Sequence, residues 1–326
     1  MAVIIVKKQG VLADPIRIDK VSITLPVHST EHASVLSNMD KLVKNHHAYV
    51  TYKPSYFHSI WVPFNHVGDR TFLVQASPKW SNVAFLRVEF NPAKDPMAEV
   101  HTMLNFILPG GYSSLIAAGR CTRVDVAVDV HMVRPAQMLV THEGFQLTKA
   151  HAKSGTVTGY ELGSKESSKH FNIYDKALQL KKANANTKWK VPVPDHPVTR
   201  IEVWVRDSFP ISKLAALPNP FEKLKIADLG GVVGDDDDTR IFMLAALGVG
   251  AQTVLSSVGA ARRKVLKERL SKASAVWWNP ATCWQAWQHE AGKVLTPLPP
   301  AYDLTLLGTT PAVMHGYAGA ASHLAH

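Results

Sequence analysis

Cysteine is scarce in this sequence: Cys121 and Cys283 are the only two in 326 residues. Standing so far apart, with no CxxC or Cys/His spacing around them, they exclude a disulfide scaffold and a structural zinc site. Long apolar runs are also missing. No stretch approaches the roughly 20 apolar residues that a spanning helix needs, and the apolar part of MAVIIVKKQG is too short for a secretory signal. A cytoplasmic protein is expected. Acids are the minority charge, 26 against 36 Lys and Arg, for a net charge of +10. A surplus of that size favours a polyanionic partner, nucleic acid or an anionic membrane surface. The 46% apolar and 19% charged content is that of a globular chain with ample core, and no internal repeat is visible.

Five segments alternate with period two and are rich in β-branched or aromatic residues, as strands are. They are 18–27 (IDKVSITLPV), 83–92 (VAFLRVEFNP), 122–130 (TRVDVAVDV), 169–176 (KHFNIYDK) and 199–207 (TRIEVWVRD). Between the second and third, 95–108 carries Met97, Val100, Leu104 and Ile107 or Leu108 on one helical face behind Asp95-Pro96. A shorter helix is expected after Pro135. Strand, helix, strand predicts an α+β fold: a curved, mostly antiparallel sheet with crossover helices and a helical C-terminal part.

The chain divides by composition into 1–215, a sheet-based part, 216–295, a helical part suited to DNA, and a Pro-, Gly- and Ala-rich tail, 296–326, expected to be loosely ordered. The run 235–238 (DDDD) reads as an acidic helix start, favourable at the positive end of the macrodipole, with a metal site as the other reading. In 253–290, Val258, Ala261, Val265 and Leu270 form an apolar stripe, and Arg262, Arg263, Lys264, Lys267 and Arg269 crowd the rest. Such a basic face suits DNA phosphates or simply water. The pairs Trp277-Trp278 and Trp284/Trp287 are read as core in preference to base-stacking platforms.

What alternates with the apolar residues carries the chemistry. Val124, Val126, Val128 and Val130 oppose Arg123, Asp125, Ala127 and Asp129. Val88 stands opposite Arg87 and Glu89, and Ile201, Val203 and Val205 oppose Arg200, Glu202, Trp204 and Arg206. In 169–176, Phe171 and Ile173 oppose Asn172, Tyr174 and Lys176. Three strands thus repeat Arg-x-acid, which admits two readings: a structural ion-pair network, or converging carboxylates around a hard divalent ion, Mg²⁺ or Mn²⁺. A phenol ordinarily titrates near about 10 and is a weak nucleophile at neutral pH. Beside a metal or Lys176, Tyr174 becomes a candidate attacking group on a phosphodiester, with Asn172 and Lys176 on the phosphate side. Residues 165–190 hold seven lysines and two acids, among them Lys169, Lys181 and Lys182, suited to drawing in a DNA strand. Asp175 is placed toward the core side or a turn.

The blocks LRVEFNPAK (86–94), RVDVAVDV (123–130), FNIYDK (171–176) and TRIEVWV (199–205) resemble, in order and spacing, those of the trans-acting replication initiation factors. These are rolling-circle replication initiators of small bacterial plasmids, with relatives in some filamentous phages. IDKVSITL (18–25) matches an N-terminal family strand, so the resemblance covers about 17–292. It implies that Tyr174 nicks one strand at the origin, becomes joined to the 5′ phosphate and leaves a 3′ hydroxyl primer. It implies Glu89, Asp125, Glu202 and Asp19 as the metal-site acids, with Asp129 at the strand end as a further ligand. It also implies Mg²⁺ or Mn²⁺ as cofactor, action as a homodimer on single-stranded origin DNA, a host helicase partner and a bacterial cytoplasm. No His-hydrophobe-His motif of the other large initiator class occurs, and the nicking block holds one tyrosine. The phosphate-side cations expected on DNA are Arg87, Arg123, Arg200, Lys169, Lys181, Lys182, Arg262, Arg263 and Lys267. Two other functions fit the residues: a non-catalytic nucleic-acid-binding protein using the tyrosine for stacking, and a metal-dependent nuclease using water.

Overall fold

The structure is a computed structural model that describes residues 11–64, 70–145, 147–187, 190–229 and 237–299. Residues 300–326 of the expected 296–326 tail and the first half of the 235–238 acidic run lie outside the described residues. The fold is α+β, with a large mostly antiparallel sheet and helices in the C-terminal part.

In chain order the strands are β1 (Leu12–Ala13), β2 (Arg17–Leu25), β3 (Tyr49–Val50), β4 (Tyr56–Pro63), β5 (Thr71–Pro78), β6 (Leu86–Phe90), β7 (Arg120–His131), β8 (Met138–His142), β9 (Leu147–Lys153), β10 (Thr156–Leu162), β11 (Lys169–Asp175), β12 (Val198–Val205), β13 (Phe209–Pro210) and β14 (Leu224–Asp228). The helices are α1 (His32–Lys44), α2 (Met97–Ile107), α3 (Gly111–Ala118), α4 (Lys176–Ala185), α5 (Asp237–Val249), α6 (Ala251–Ser257), α7 (Ala260–Lys272), α8 (Pro280–Trp284) and α9 (Trp287–Leu295). Pro135–Gln137 forms the short helix expected after Pro135, as a single 3₁₀ turn.

The chain makes two compact units that interleave along the sequence. The first comprises Met1–Arg17, Asp125–Arg206 and Pro218–Trp287, and the second Ile18–Val124, Asp207–Leu217 and Gln288–His326. In the second unit the strand order is β3-β4-β5-β6-β2 and then the first half of β7; in the first it is the second half of β7, then β12-β11-β10-β9. The first unit also holds the separate pair β14-β8.

Alternation explains the strands. Val124, Val126, Val128 and Val130 are fully buried, each contributing on the order of 1–2 kcal/mol of apolar burial. Their neighbours Asp125, Ala127 and Asp129 are buried as well, so β7 is covered on both faces. In α2 the expected face, Met97, Val100, Leu104 and Ile107, is buried, but so are Glu99, His101, Thr102 and Met103. The helix is enclosed nearly all round.

The C-terminal helices bury a different line from the one expected. Phe242, Ala246, Leu255 and Leu266 form a cluster with Leu139 and Ala227, and Val258 and Leu270 pack against it. Val265 is 41% exposed and Ala261 is also outside. Val258 and Gly259 separate α6 from α7, so the helical phase restarts at Ala260 and turns Leu266, not Val265, inward. Asp237 and Asp238 occupy the first turn of α5, as a helix start should. Trp278 is buried with its indole N–H donating to the Leu224 carbonyl at 2.9 Å, and the rings of Trp284 and Trp287 stack at 4.4 Å.

Candidate active site

Strand register assembles one polar face inside the first unit. Antiparallel pairing sets Tyr174 opposite Gly159 on β10 and Arg200 on β12, and sets Asn172 opposite Glu161 and Glu202. Side chains two apart on a strand share a face, so Tyr174 and Asn172 stand with Glu161, Arg200, Glu202 and Trp204.

Tyr174 is half-buried, and its hydroxyl donates to Glu202 Oε2 at 3.3 Å. Glu202, 9% exposed, also accepts the Trp204 indole N–H on Oε1 at 2.6 Å. Both donors, a phenol and an indole, are neutral. Gly159 is what lets β10 come close here. A Cβ at that position would lie 2.5 Å from the Ile173 carbonyl oxygen and 3.3 Å from the Tyr174 Cα, and the β9–β10 register shifts just before it.

Lys176 departs from its expected place. β11 ends at Asp175, whose carboxylate caps α4 by accepting from Leu178 N at 2.8 Å, and Lys176 is the first helical residue. Its ammonium lies 5.8 Å from the Tyr174 ring centre and donates to Gln179 at 2.6 Å. The lysine therefore reaches the tyrosine from a helix start, not along the strand face. Asp175 occupies the turn, as expected.

Arg200, expected on DNA, is only 2% exposed and clasps Asp129 bidentately, at 2.6 Å and 2.9 Å. Arg17 also binds Asp129. Burial raises the Asp129 carboxyl, but the Arg200 hydrogen bonds and the charges of Arg200, Arg17 and Lys176 outweigh it and hold it below the ordinary carboxylate range. Both oxygens of Asp129 are occupied by arginine, so as placed it is a counter-charge and not an open ligand. Asp125 is 3% exposed on the same strand.

Glu161 is the site residue that sequence reading passed over. It accepts from or pairs with His151 at 2.8 Å, approaches His170 at 3.7 Å and Lys165 at 3.9 Å, and sits across from Asn172. Burial pushes its carboxyl up, and His151, Lys165 and His170 together pull it below the usual value. His170 is 1% exposed, bonded to the Gly163 carbonyl at 2.8 Å and packed on Trp204 at 4.6 Å. The signal was present in Thr156–Leu162, where Thr156, Thr158 and Tyr160 alternate with Val157, Gly159 and Glu161; two polar residues on the apolar-looking set obscured the strand.

The second unit holds the other two expected acids. Glu89 pairs with Lys20 at 2.9 Å and Arg87 at 2.8 Å. Burial raises the Glu89 carboxyl, and Lys20, Arg87 and Arg123 bring it below the ordinary range. Arg87 is further fixed by Ser22 at 2.8 Å and Gln75 at 3.3 Å. Asp19 faces Lys94 at 3.2 Å and Asn91 at 3.3 Å. Asp95, which accepts from Asn91 N at 2.6 Å, is pushed up to about 6, chiefly by burial and also by Asp19.

A hard divalent ion takes several converging oxygens with uncompensated charge. Among the described residues no group of three or more His, Cys, Asp or Glu side chains could hold a metal ion. Glu89, Asp129 and Asp19 spend their charge on lysine and arginine, so the side chains as placed do not fit a protein-built metal cage. The ion-pair reading of the Arg-x-acid strands describes Glu89 directly and Asp129 through Arg200.

The remaining expected cations divide by exposure. Lys181 and Lys182 are exposed on α4, Lys169 is half-buried at the start of β11, and Lys267 is exposed on α7. Arg262 pairs with Asp238. Arg263 closes the end of α6, donating to the carbonyls of Leu255 at 2.7 Å, Ser256 at 3.3 Å and Val258 at 3.0 Å. Its guanidinium serves the helix end, not a phosphate. Among the described residues no helix is long and apolar enough to cross a membrane.

No protein-family model matches the chain, and no curated protein matches it. Among solved structures, the chain is similar to one described as the structure of a rolling circle replication initiator protein from Geobacillus stearothermophilus. The likeness has 15% identity and a TM-score of 0.39, covering 90% of this chain and 99% of that one.

Proposed function

We propose that this chain is a rolling-circle replication initiator of the trans-acting type, a DNA nicking–closing enzyme in which Tyr174 is the nucleophile. The observation that carries the proposal is the Tyr174 hydroxyl donating at 3.3 Å to Glu202, a buried carboxylate otherwise bonded to an indole N–H. The order of the four sequence blocks supports it further. In the proposed step the Tyr174 oxygen forms a bond to phosphorus and the bond from phosphorus to the 3′ oxygen breaks. Glu202 accepts the phenol proton, and a proton is returned to the departing 3′ oxygen, which leaves as the hydroxyl primer. The phosphotyrosine conserves the phosphodiester energy, so reversal reseals the strand. Lys176 places positive charge beside the ring, and Asn172, next to Glu202, is assigned to the phosphate. Action on a single-stranded origin, dimerisation and a host helicase partner are proposed on the resemblance alone. So is Mg²⁺ or Mn²⁺ as cofactor.

A second reading, a non-catalytic nucleic-acid-binding protein, is favoured by the ion pairs that occupy Glu89 and Asp129. One experiment separates the two. The protein is incubated with supercoiled and single-stranded substrates carrying a candidate origin, with Mg²⁺, Mn²⁺ or EDTA, and the products are resolved for a covalent 5′ adduct. Adduct in the parent and none in Tyr174→Phe is the expected result. Adduct persisting in Tyr174→Phe removes the nucleophile assignment. Cleavage without adduct indicates a water-using nuclease, and binding without cleavage on any substrate favours the second reading.

A further inference from the structure

We infer that the outer edge of the second unit's sheet is a binding platform for unpaired nucleotides, built from Tyr52, Phe57 and Trp80 with Lys53 and Lys79. The three aromatic side chains are 77%, 67% and 53% exposed. Large rings left this open, with Tyr52 and Phe57 gathered around Lys79 and Trp80 next to it in sequence, mark a contact surface more often than plain solvent exposure. Local structure gathers them. The Lys79 backbone N–H donates to the Ser55 carbonyl at 3.1 Å and Tyr56 pairs with Pro78, which seats the turn after β5 on the loop before β4. The Lys79 ammonium then stands 5.1 Å from the Tyr52 ring centre and 5.8 Å from that of Phe57, and donates to the Tyr52 hydroxyl at 3.4 Å. Lys53 stands 5.4 Å from the half-buried Trp61 ring.

Charge selects the ligand. From Lys41 to Val88 the sequence has one acid, Asp69, against Lys41, Lys44, Lys53, Arg70, Lys79 and Arg87. A surface of rings and ammonium groups fits a polyanion with exposed flat faces. Every base has a π-face, so stacking tolerates any sequence, and ammonium groups beside the rings meet the phosphates that link successive bases. Duplex DNA hides those faces, which makes a single strand the ligand. Phe57 and Trp61 share one face of β4, with the buried Ser59 between them.

The inference shares with the proposed function only the expectation of a single strand, and rests on other residues. It is tested with full-length Tyr174→Phe, which removes the proposed nucleophile from the readout. Fluorescein-labelled oligo(dT) is titrated by anisotropy into that parent, into a version carrying Tyr52→Ala and Phe57→Ala, and into one carrying Lys53→Ser and Lys79→Ser. The aromatic variant is expected to bind on the order of tenfold more weakly or worse, and the lysine variant to lose about 0.7 per lysine from the slope of log affinity against log salt. Photo-crosslinks from 5-iodouracil are expected on Tyr52, Phe57 or Trp80. Because these side chains are exposed, thermal unfolding of both variants is expected to match the parent. The inference is overturned by a parent that does not bind oligo(dT), by an aromatic variant within twofold of it, by crosslinks mapping elsewhere, or by duplex DNA competing as well as the single strand. Absence of nicking by the chain with Tyr174 intact, while these results hold, would sink the proposed function and leave the platform standing.

Discussion

Glu202, buried, and Asp95, half-buried, show how two carboxylates acquire different tasks from their neighbours. Around Glu202 the donors are neutral, and the bond from the Tyr174 hydroxyl, at 3.3 Å, is longer than that from Trp204, at 2.6 Å. Glu202→Gln keeps an acceptor for Trp204 but removes the base, and strand cleavage is expected to fall by about 10²–10⁴-fold, read as adduct formed per minute. Unfolding of Tyr174→Phe is expected to change by about 1 kcal/mol or less, since a long bond from a half-buried hydroxyl contributes little. Asp95 carries no proposed chemistry but leaves a pH signature. Its folded value of about 6 stands above the ordinary 3.8, so the folded chain binds the extra proton between those limits. The stabilisation is therefore fully present below about pH 4 and is lost as pH rises through 6. Scaled by about 1.4 kcal/mol per unit and discounted for partial exposure, it amounts to about 2 kcal/mol. Asp95→Asn is expected to flatten that part of the curve of stability against pH, measured by urea unfolding from pH 4 to 7; an unchanged curve would assign the slope to another group.

At the scale of elements, Gly159 is the hinge of the site. The strand holding Tyr174 passes so close to β10 that a side chain at 159 meets backbone, which cannot swing aside as a flexible side chain can. Gly159→Ala is expected to shift β11, cost about 1–3 kcal/mol of stability, and slow adduct formation more than it weakens DNA binding. Equal losses in both, or none in either, would count against a positioning role. How far such elements could be read from sequence follows from how their neighbours bury them. β6, β7, β11 and β12 alternate cleanly because one set of side chains is apolar through the middle of each strand, as in Val124 to Val130, Phe171 and Ile173, and Ile201 to Val205. β4 and β5 were not legible, since the polar Gln75 and Ser59 are buried and blur the alternation. β10 was lost for a similar reason, with Gly159 and Glu161 on one face. The periodicity of 253–290 was readable, but not its phase, because the break at Val258-Gly259 depends on how two helices meet the same cluster. Lys176 on strand pattern looked like a neighbour of Tyr174 along the face; the Asp175 cap ends the strand one residue earlier.

Across the whole molecule, a net charge of +10 says that a polyanion is attracted but not where it lies. The structure sorts the cations by what already holds them. Arg200 is clasped by Asp129, Arg262 by Asp238, and Arg263 by three carbonyls at a helix end. A phosphate contact through any of these requires breaking an internal bond first. Lys181 and Lys182 are exposed on α4, the helix that begins beside Tyr174, and Lys267 is exposed on α7. Removing a cation that touches phosphate lowers the salt dependence of binding, whereas removing one that braces the fold lowers stability and leaves that slope alone. Replacing Lys181 and Lys182 together with alanine is expected to reduce the slope of log affinity against log salt by about 1.4–1.8, with thermal unfolding unchanged. Arg263→Ala is expected to do the reverse: the slope holds while stability drops by about 1–2 kcal/mol, from the three carbonyls left at the end of α6. If Arg263→Ala instead lowers the slope at full stability, the guanidinium is free for DNA in solution and the division between bracing and binding cations must be redrawn.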